Sequence, residues 1–164
     1  MKTSAQAPLF VFLASFAILL AAYGFQFLGD LEPCELCYWQ RYPYYVAIPL
    51  SFIAVLWATR SPQGPIVGIL MLLCSVAFFT GAAIAGYHVG VEQGWWQGPQ
   101  ACGASSELGR TAEEFLETIK GKDIVRCDEV PWSFLGISMA GYNFIFSVLL
   151  GLIAFVGFNR RSRV

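Results

Sequence analysis

The chain has 164 residues, a length that suits one domain. It is 57% hydrophobic, 16% aromatic and 13% charged, where soluble domains carry about 25% charged residues, so charge has been cleared from particular blocks. A net charge of −1 offers none of the basic face that a nucleic-acid binder needs.

The first block, Thr3 to Gly29, contains no charge. A helix of about 20 apolar residues crosses the hydrocarbon core, and residues 8–28 supply that length, with Pro8 suited to a helix start. The competing reading is a signal peptide, with Lys2 as its n-region and Ala21-Ala22-Tyr23-Gly24 near a cleavage site. The uncharged run is long for such a segment, which favours a retained helix. Residues 29–42 form a short polar loop with Asp30, Glu32 and the motif Cys34-Glu35-Leu36-Cys37, followed by Arg41. Pro33 keeps the chain extended before Cys34.

A second span covers residues 43–59. It is short and contains Pro49, which neighbouring membrane helices can accommodate as a kink. Arg60-Ser61-Pro62-Gln63-Gly64-Pro65 reads as a turn. The third span, 65–87, carries Gly81, Ala82, Ala83, Ala85 and Gly86, small residues that let membrane helices approach closely. Cys74 lies mid-span, where a buried thiol is inert.

Residues 88–136 form a long loop, acidic on balance. Thr111-Ala112-Glu113-Glu114 reads as a capping box. Phe115, Leu116 and Ile119 follow as an apolar stripe that Gly121 ends. This predicts a short amphipathic helix, lying on the membrane surface or packed on other loop residues. Trp95, Trp96 and Trp132 resemble interfacial anchors. The fourth span covers 137–158, and Asn159-Arg160-Arg161-Ser162-Arg163 follows. The expected architecture is an all-α membrane protein. It is one domain, a bundle of four transmembrane helices with two loops on one side, the second containing a short amphipathic helix.

An even number of spans puts both termini on one face. That face carries Lys2, Arg60, Arg160, Arg161 and Arg163. The other carries Arg41, Arg110, Lys120, Lys122 and Arg126, spread over far longer segments. Positive charge orients a chain mainly from short segments close to helix ends, so the termini are expected in the cytoplasm. Both loops then face outward, where disulfides persist.

Five cysteines are present. Two in the first loop stand beside a membrane and a fixed cation, and Cys102 and Cys127 lie in the long loop. A zinc site is the competing reading, but zinc ligands usually come as two closely spaced pairs, and 24 residues separate Cys102 from Cys127. No metal is expected. Thiol exchange needs a thiolate, a reachable disulfide and a good leaving thiol. The N-terminus of the second helix and Arg41 both favour a thiolate at Cys37, whereas Glu35 opposes it. Arg41 is either a snorkelling anchor or a cation that offsets charge on a thiolate and a reduced acceptor. His88, the one histidine, is either an interfacial residue or a proton donor to that acceptor.

Four spans, a CxxC followed by Arg41, and the Cys102/Cys127 pair with Pro131-Trp132-Ser133-Phe134-Leu135-Gly136 after it resemble the DsbB family of bacterial disulfide-bond-formation proteins over nearly the whole chain. The Glu35-Leu36 spacer departs from the more apolar one associated with that family. The resemblance implies an inner-membrane enzyme, a protein-dithiol:quinone oxidoreductase that reoxidises a periplasmic DsbA-like thiol oxidase and draws on the membrane quinone pool, ubiquinone or menaquinone. It implies a catalytic set of Cys34, Cys37, Cys102 and Cys127. The partner's thiolate attacks Cys102, Cys127 attacks the Cys34–Cys37 bond at Cys34, and Cys37 faces the quinone beside Arg41 and, more loosely matched, His88. The spacing agrees with pairing Cys34 to Cys37 locally and Cys102 to Cys127 across the long loop.

Two other classes compete. An enzyme of the vitamin K epoxide reductase type would carry the quinone-facing CxxC late in the chain, and here it follows the first helix. A four-span scaffold with structural disulfides gives no reason for a dithiol beside an arginine at the membrane face.

Overall fold

The computed structural model describes residues 5–61, 65–99 and 126–162. Its long helices are α1 (Gln6–Phe27), α3 (Tyr42–Arg60), α4 (Pro65–Glu92) and α5 (Met139–Ser162), with a short helix α2 (Glu35–Trp39) before α3. Among the described residues, four helical segments are long and apolar enough to cross a membrane, α2 running into α3 as one of them. The chain is a four-helix membrane bundle. The expected amphipathic helix at 111–121 lies outside the described residues.

α1 packs on α3 and α5, and α4 packs on the same two helices, so the bundle closes in the order α1, α3, α4, α5. Its inside combines larger apolar side chains, Val11, Met71, Phe78 and Leu150 among them, with many small and polar ones. Ser15, Ala47, Ser51, Ala54, Ser75, Ala82, Ala85, Ser147 and Ala154 are buried, while Phe10, Leu13, Leu20, Phe52, Leu73 and Phe155 face outward. Lipid tails are as apolar as leucine, so membrane helices associate through close packing and internal hydrogen bonds. Both are present. A Cβ on Gly81 would come within 3.1 Å of Pro43 Cγ, so glycine at that position lets α4 meet the start of α3 without crowding. Ser75 Oγ donates to the Gly151 carbonyl at 3.0 Å, and Ser51 Oγ returns to Ala47 O at 2.6 Å.

Three local features differ from the sequence expectation. α4 continues past Tyr87 to Glu92, because His88, Gly90 and Val91 still have partners to bury against. Cys34 is the N-cap of α2, with extended backbone (φ −70, ψ 171) and its sulfur accepting from the Cys37 N–H. The motif around Trp132 is a hairpin, with Ser133–Phe134 (β1) antiparallel to Ile137–Ser138 (β2). Leu135 and Gly136 turn it with φ of 50 and 79, the two positive values of a type I′ turn. Strands of two residues are too short to leave a period-2 pattern. The hairpin sets Trp132 against Phe25 of α1, ring centroids 5.0 Å apart.

Candidate thiol and acceptor site

The site forms where α2, the end of α4, residue 127 and the start of α5 gather at one end of the bundle. Leu36 is fully buried and anchors α2 in a small cluster with Cys34, Val91 and Cys127. That anchoring seats Cys34 against the end of α4 and Cys127. The Cys37 N–H donates to Cys34 Sγ at 3.3 Å, and the two sulfurs share a hydrogen bond at 2.9 Å.

His88 reaches this pair from the extended turn of α4. Its Nε2 stands 3.7 Å from Cys34 Sγ and 3.2 Å from the carbonyl oxygen of Cys127. The sulfurs of Cys34 and Cys127 and a ring nitrogen of His88 lie within 4.8 Å of one another. Cys34, Cys37 and Cys74 are free thiols, and Cys127 is disulfide-bonded. Cys102 lies outside the described residues. Zinc binds thiolates, so a trio with its Cys127 sulfur already in a disulfide does not present a zinc ligand set. Cys74 is fully buried in the bundle with the Ala47 carbonyl 3.8 Å from its sulfur.

The shared hydrogen bond with Cys37 is the largest influence on the Cys34 thiol. Burial opposes it, His88 adds to it, and the thiol is lowered to about 5. In the dithiol form the negative charge therefore sits on Cys34, not on Cys37 as the sequence suggested. Cys34 is a thiolate at neutral pH and takes up a proton only as pH falls through about 5. Titrating the reduced protein by thiolate ultraviolet absorbance should show one step near that pH. A first step in the ordinary thiol range, about 8.5, would contradict the arrangement.

On the other side of the CxxC, Cys37 opens onto a cleft of about 380 Å³ between α1, α3 and α5. Its walls are apolar, with Ile18, Phe25, Trp132 and Phe146 among them. Its polar groups come from Gln40, Arg41, Tyr44 and Asn143. Arg41 is only 7% exposed. It donates to Gln26 Oε1 at 2.7 Å, and its guanidinium carbon lies 4.9 Å from the Tyr23 ring centroid and 5.0 Å from that of Tyr38. These three groups are neutral, so they hold the cation in place without cancelling its charge.

The structure thus brings Cys34, Cys37, Cys127, His88 and Arg41 to one end of the bundle. His88 faces Cys34, and Gln40 stands between it and the cleft. Sequence reasoning passed over a connected set of polar residues there. Gln40 Nε2 bonds His88 Nδ1 at 2.7 Å, Asn143 Nδ2 donates to Gln40 Oε1 at 2.7 Å, and the Tyr44 hydroxyl donates to Asn143 Oδ1 at 2.6 Å. Ser147 Oγ lies 3.2 Å from that hydroxyl. Glu92 lies 3.9 Å from His88 and accepts from Ser138. The available signal was a polar residue inside a span, which is costly and so usually functional. Gln40 and Glu92 fell in the loops, where polarity needs no explanation, and Asn143, inside the fourth span, was the one that carried it.

Residues 4–157 match the family model described as Disulfide bond formation protein DsbB. The chain is 31% identical over 155 residues to the disulfide bond formation protein B of Marinobacter nauticus, covering 93% of this chain and 90% of that one. It is 32% identical over 150 residues to that of Hahella chejuensis, covering 90% and 84%. With that of Methylococcus capsulatus it shares 34% over 151 residues, covering 88% and 86%. No solved structure matches it.

Proposed function

The chain belongs to the DsbB family of disulfide bond formation proteins, and from that premise we propose that it oxidises the dithiol of a periplasmic, thioredoxin-like DsbA-type partner and passes the two electrons to membrane quinone. The observation that carries this reading is the position of the CxxC. Cys34 stands within reach of Cys127, and Cys37 lines the apolar cleft beside Arg41.

The partner's thiolate attacks Cys102, forming a mixed disulfide and releasing Cys127 as a thiolate. Cys127 attacks Cys34. The Cys34–Cys37 bond breaks, and Cys37 leaves as a thiolate at the cleft. The partner's second thiolate resolves the mixed disulfide and departs oxidised. Cys102 then attacks Cys127 and restores their bond, leaving Cys34 and Cys37 reduced. While Cys34 is bonded to Cys127, Cys37 alone bears the charge at the cleft; once Cys34 is released, re-forming the Cys34–Cys37 bond would give up the two electrons and two protons that an acceptor takes.

The cleft's apolar walls suit an isoprenoid quinone, and Arg41 and Asn143 are the residues whose remaining N–H groups would hold its polar ring. Quinone bound there supplies the acceptor for two electrons and two protons. Arg41 holds positive charge at the sulfur that becomes negative, and the aromatic side chains lining the cleft screen it from water. The basic residues in short segments near the other ends of the helices, Lys2, Arg60, Arg160, Arg161 and Arg163, support cytoplasmic termini and periplasmic cysteine pairs in a bacterial inner membrane.

Purified protein mixed with dithiothreitol and a soluble quinone should bleach the quinone catalytically. A folded protein that leaves the quinone untouched would instead be a scaffold with structural disulfides.

A further inference from the structure

The polar residues between Cys34 and the cleft form a hydrogen-bond chain whose direction is set at both ends. Gln40 Nε2 lies 3.2 Å from the carbonyl of Leu36, and a carbonyl only accepts. The nitrogen of the Gln40 amide therefore faces that way, and its second N–H points at His88 Nδ1. Its oxygen faces Asn143, which must present Nδ2, leaving Asn143 Oδ1 for the hydroxyl of Tyr44. At the opposite end, His88 Nε2 meets the carbonyl of Cys127, again a pure acceptor. The imidazole has two ring nitrogens, and which one bears the proton follows from what the other accepts.

We propose that Gln40, itself oriented by Asn143, is a positioning residue that holds His88 as its Nε2–H tautomer, with the ring proton on the side of Cys34 and the Cys127 carbonyl. The inference deepens the proposed function, resting on its assignment of Cys34 as the sulfur exchanged between the two pairs. So held, His88 is a hydrogen-bond donor to Cys34 and to the segment that delivers Cys127. It is not a base that takes the thiol proton. Gln40 and Asn143 also line the cleft, so the same two amides touch the acceptor side and set the proton on the thiol side. Among the described residues, the titratable or charged groups around Cys34 are Cys37 from α2, Arg41 at the start of α3, His88 and Glu92 from α4, and, when reduced, Cys127. Glu35 adjoins it in sequence.

The chain contains a single histidine, so ¹⁵N-histidine labelling of the full protein, purified without a histidine tag, reports His88 alone. The oxidised protein at neutral pH should show a protonated Nε2 and an unprotonated Nδ1. In Gln40→Glu the amide donor becomes a carboxylate acceptor, so Nδ1 should gain a proton. The thiolate midpoint of Cys34 in the reduced protein should then fall by about one unit, a tenfold shift, because the cationic ring is nearer to the sulfur than the new carboxylate is. Asn143→Leu removes the donor that orients Gln40 and should produce a mixture of the two tautomers. A wild-type ring protonated on Nδ1 alone overturns the proposal. So does a His88 spectrum unchanged in whichever of these variants folds. These readouts involve no quinone. Failure of quinone bleaching would remove the proposed function and leave the tautomer result standing.

Discussion

Cys127→Ser should abolish turnover with a protein dithiol partner while leaving a small dithiol able to drive electrons into quinone. The reason is the division of the site. Cys127 is completely buried, and its sulfur is within 4.8 Å of Cys34, so it is placed to hand a disulfide inward. It does not line the cleft where Cys37 lies. Serine is close to cysteine in size, but its hydroxyl is a poor nucleophile toward sulfur and cannot form the bond. Cys102→Ser should fail with the protein partner in the same way, because the partner has then lost the disulfide it attacks. Steady-state assays of both variants, with a protein dithiol and with dithiothreitol, separate the two halves of the reaction. If dithiothreitol also fails with folded protein, the relay between two pairs is wrong.

Arg41→Ala should weaken quinone use about tenfold or more, with Arg41→Lys between it and the wild type. A cation interacts far more strongly with a neighbouring charge in a low-dielectric site than in water. Arg41 is nearly buried there, and Gln26, Tyr23 and Tyr38, which hold it, are neutral. Losing about 1.4 kcal/mol of stabilisation at the sulfur is already a factor of ten. Lysine keeps the charge but loses the planar fork that bonds Gln26 and stacks between Tyr23 and Tyr38. These same contacts tie α1 to the α2–α3 junction, so Arg41 also has an anchoring role, and the alanine variant should accumulate less well. The quinone KM decides between the two roles. A variant that is merely poorly anchored keeps a normal KM in the molecules that fold, whereas loss of the site cation raises it. Exchange between the partner and Cys102 should be unaffected, since that step lies in the other loop.

Both predictions rest on residues visible before any fold was known. The dithiol is marked by its spacing and by the arginine four residues on. The four spans are marked by uncharged runs, because a charge in the hydrocarbon core is costly wherever the helix turns. Hydropathy is additive along the chain, so it needs no knowledge of partners. That is why the span count and the place of Cys34 and Cys37 beside the membrane could be read in order from the residues.

What the residues alone could not decide is which polar groups meet. Gln40 finds His88 across 48 positions and Asn143 across 103, and these partners are chosen by how α3, α4 and α5 rotate against one another. That rotation depends on close packing at points such as Gly81 against Pro43, where a missing Cβ relieves the contact of two helices. The same packing carries α4 on to Glu92, turning His88 from a loop residue into a helix residue aimed at Cys34. It also seats the hairpin that walls the cleft with Trp132. Composition along the chain determined that this protein crosses a membrane with a dithiol at its edge. Tertiary packing determined that one sulfur of that dithiol faces His88 and Cys127 while the other faces an apolar cleft, because only contacts between distant segments give two neighbouring cysteines different surroundings.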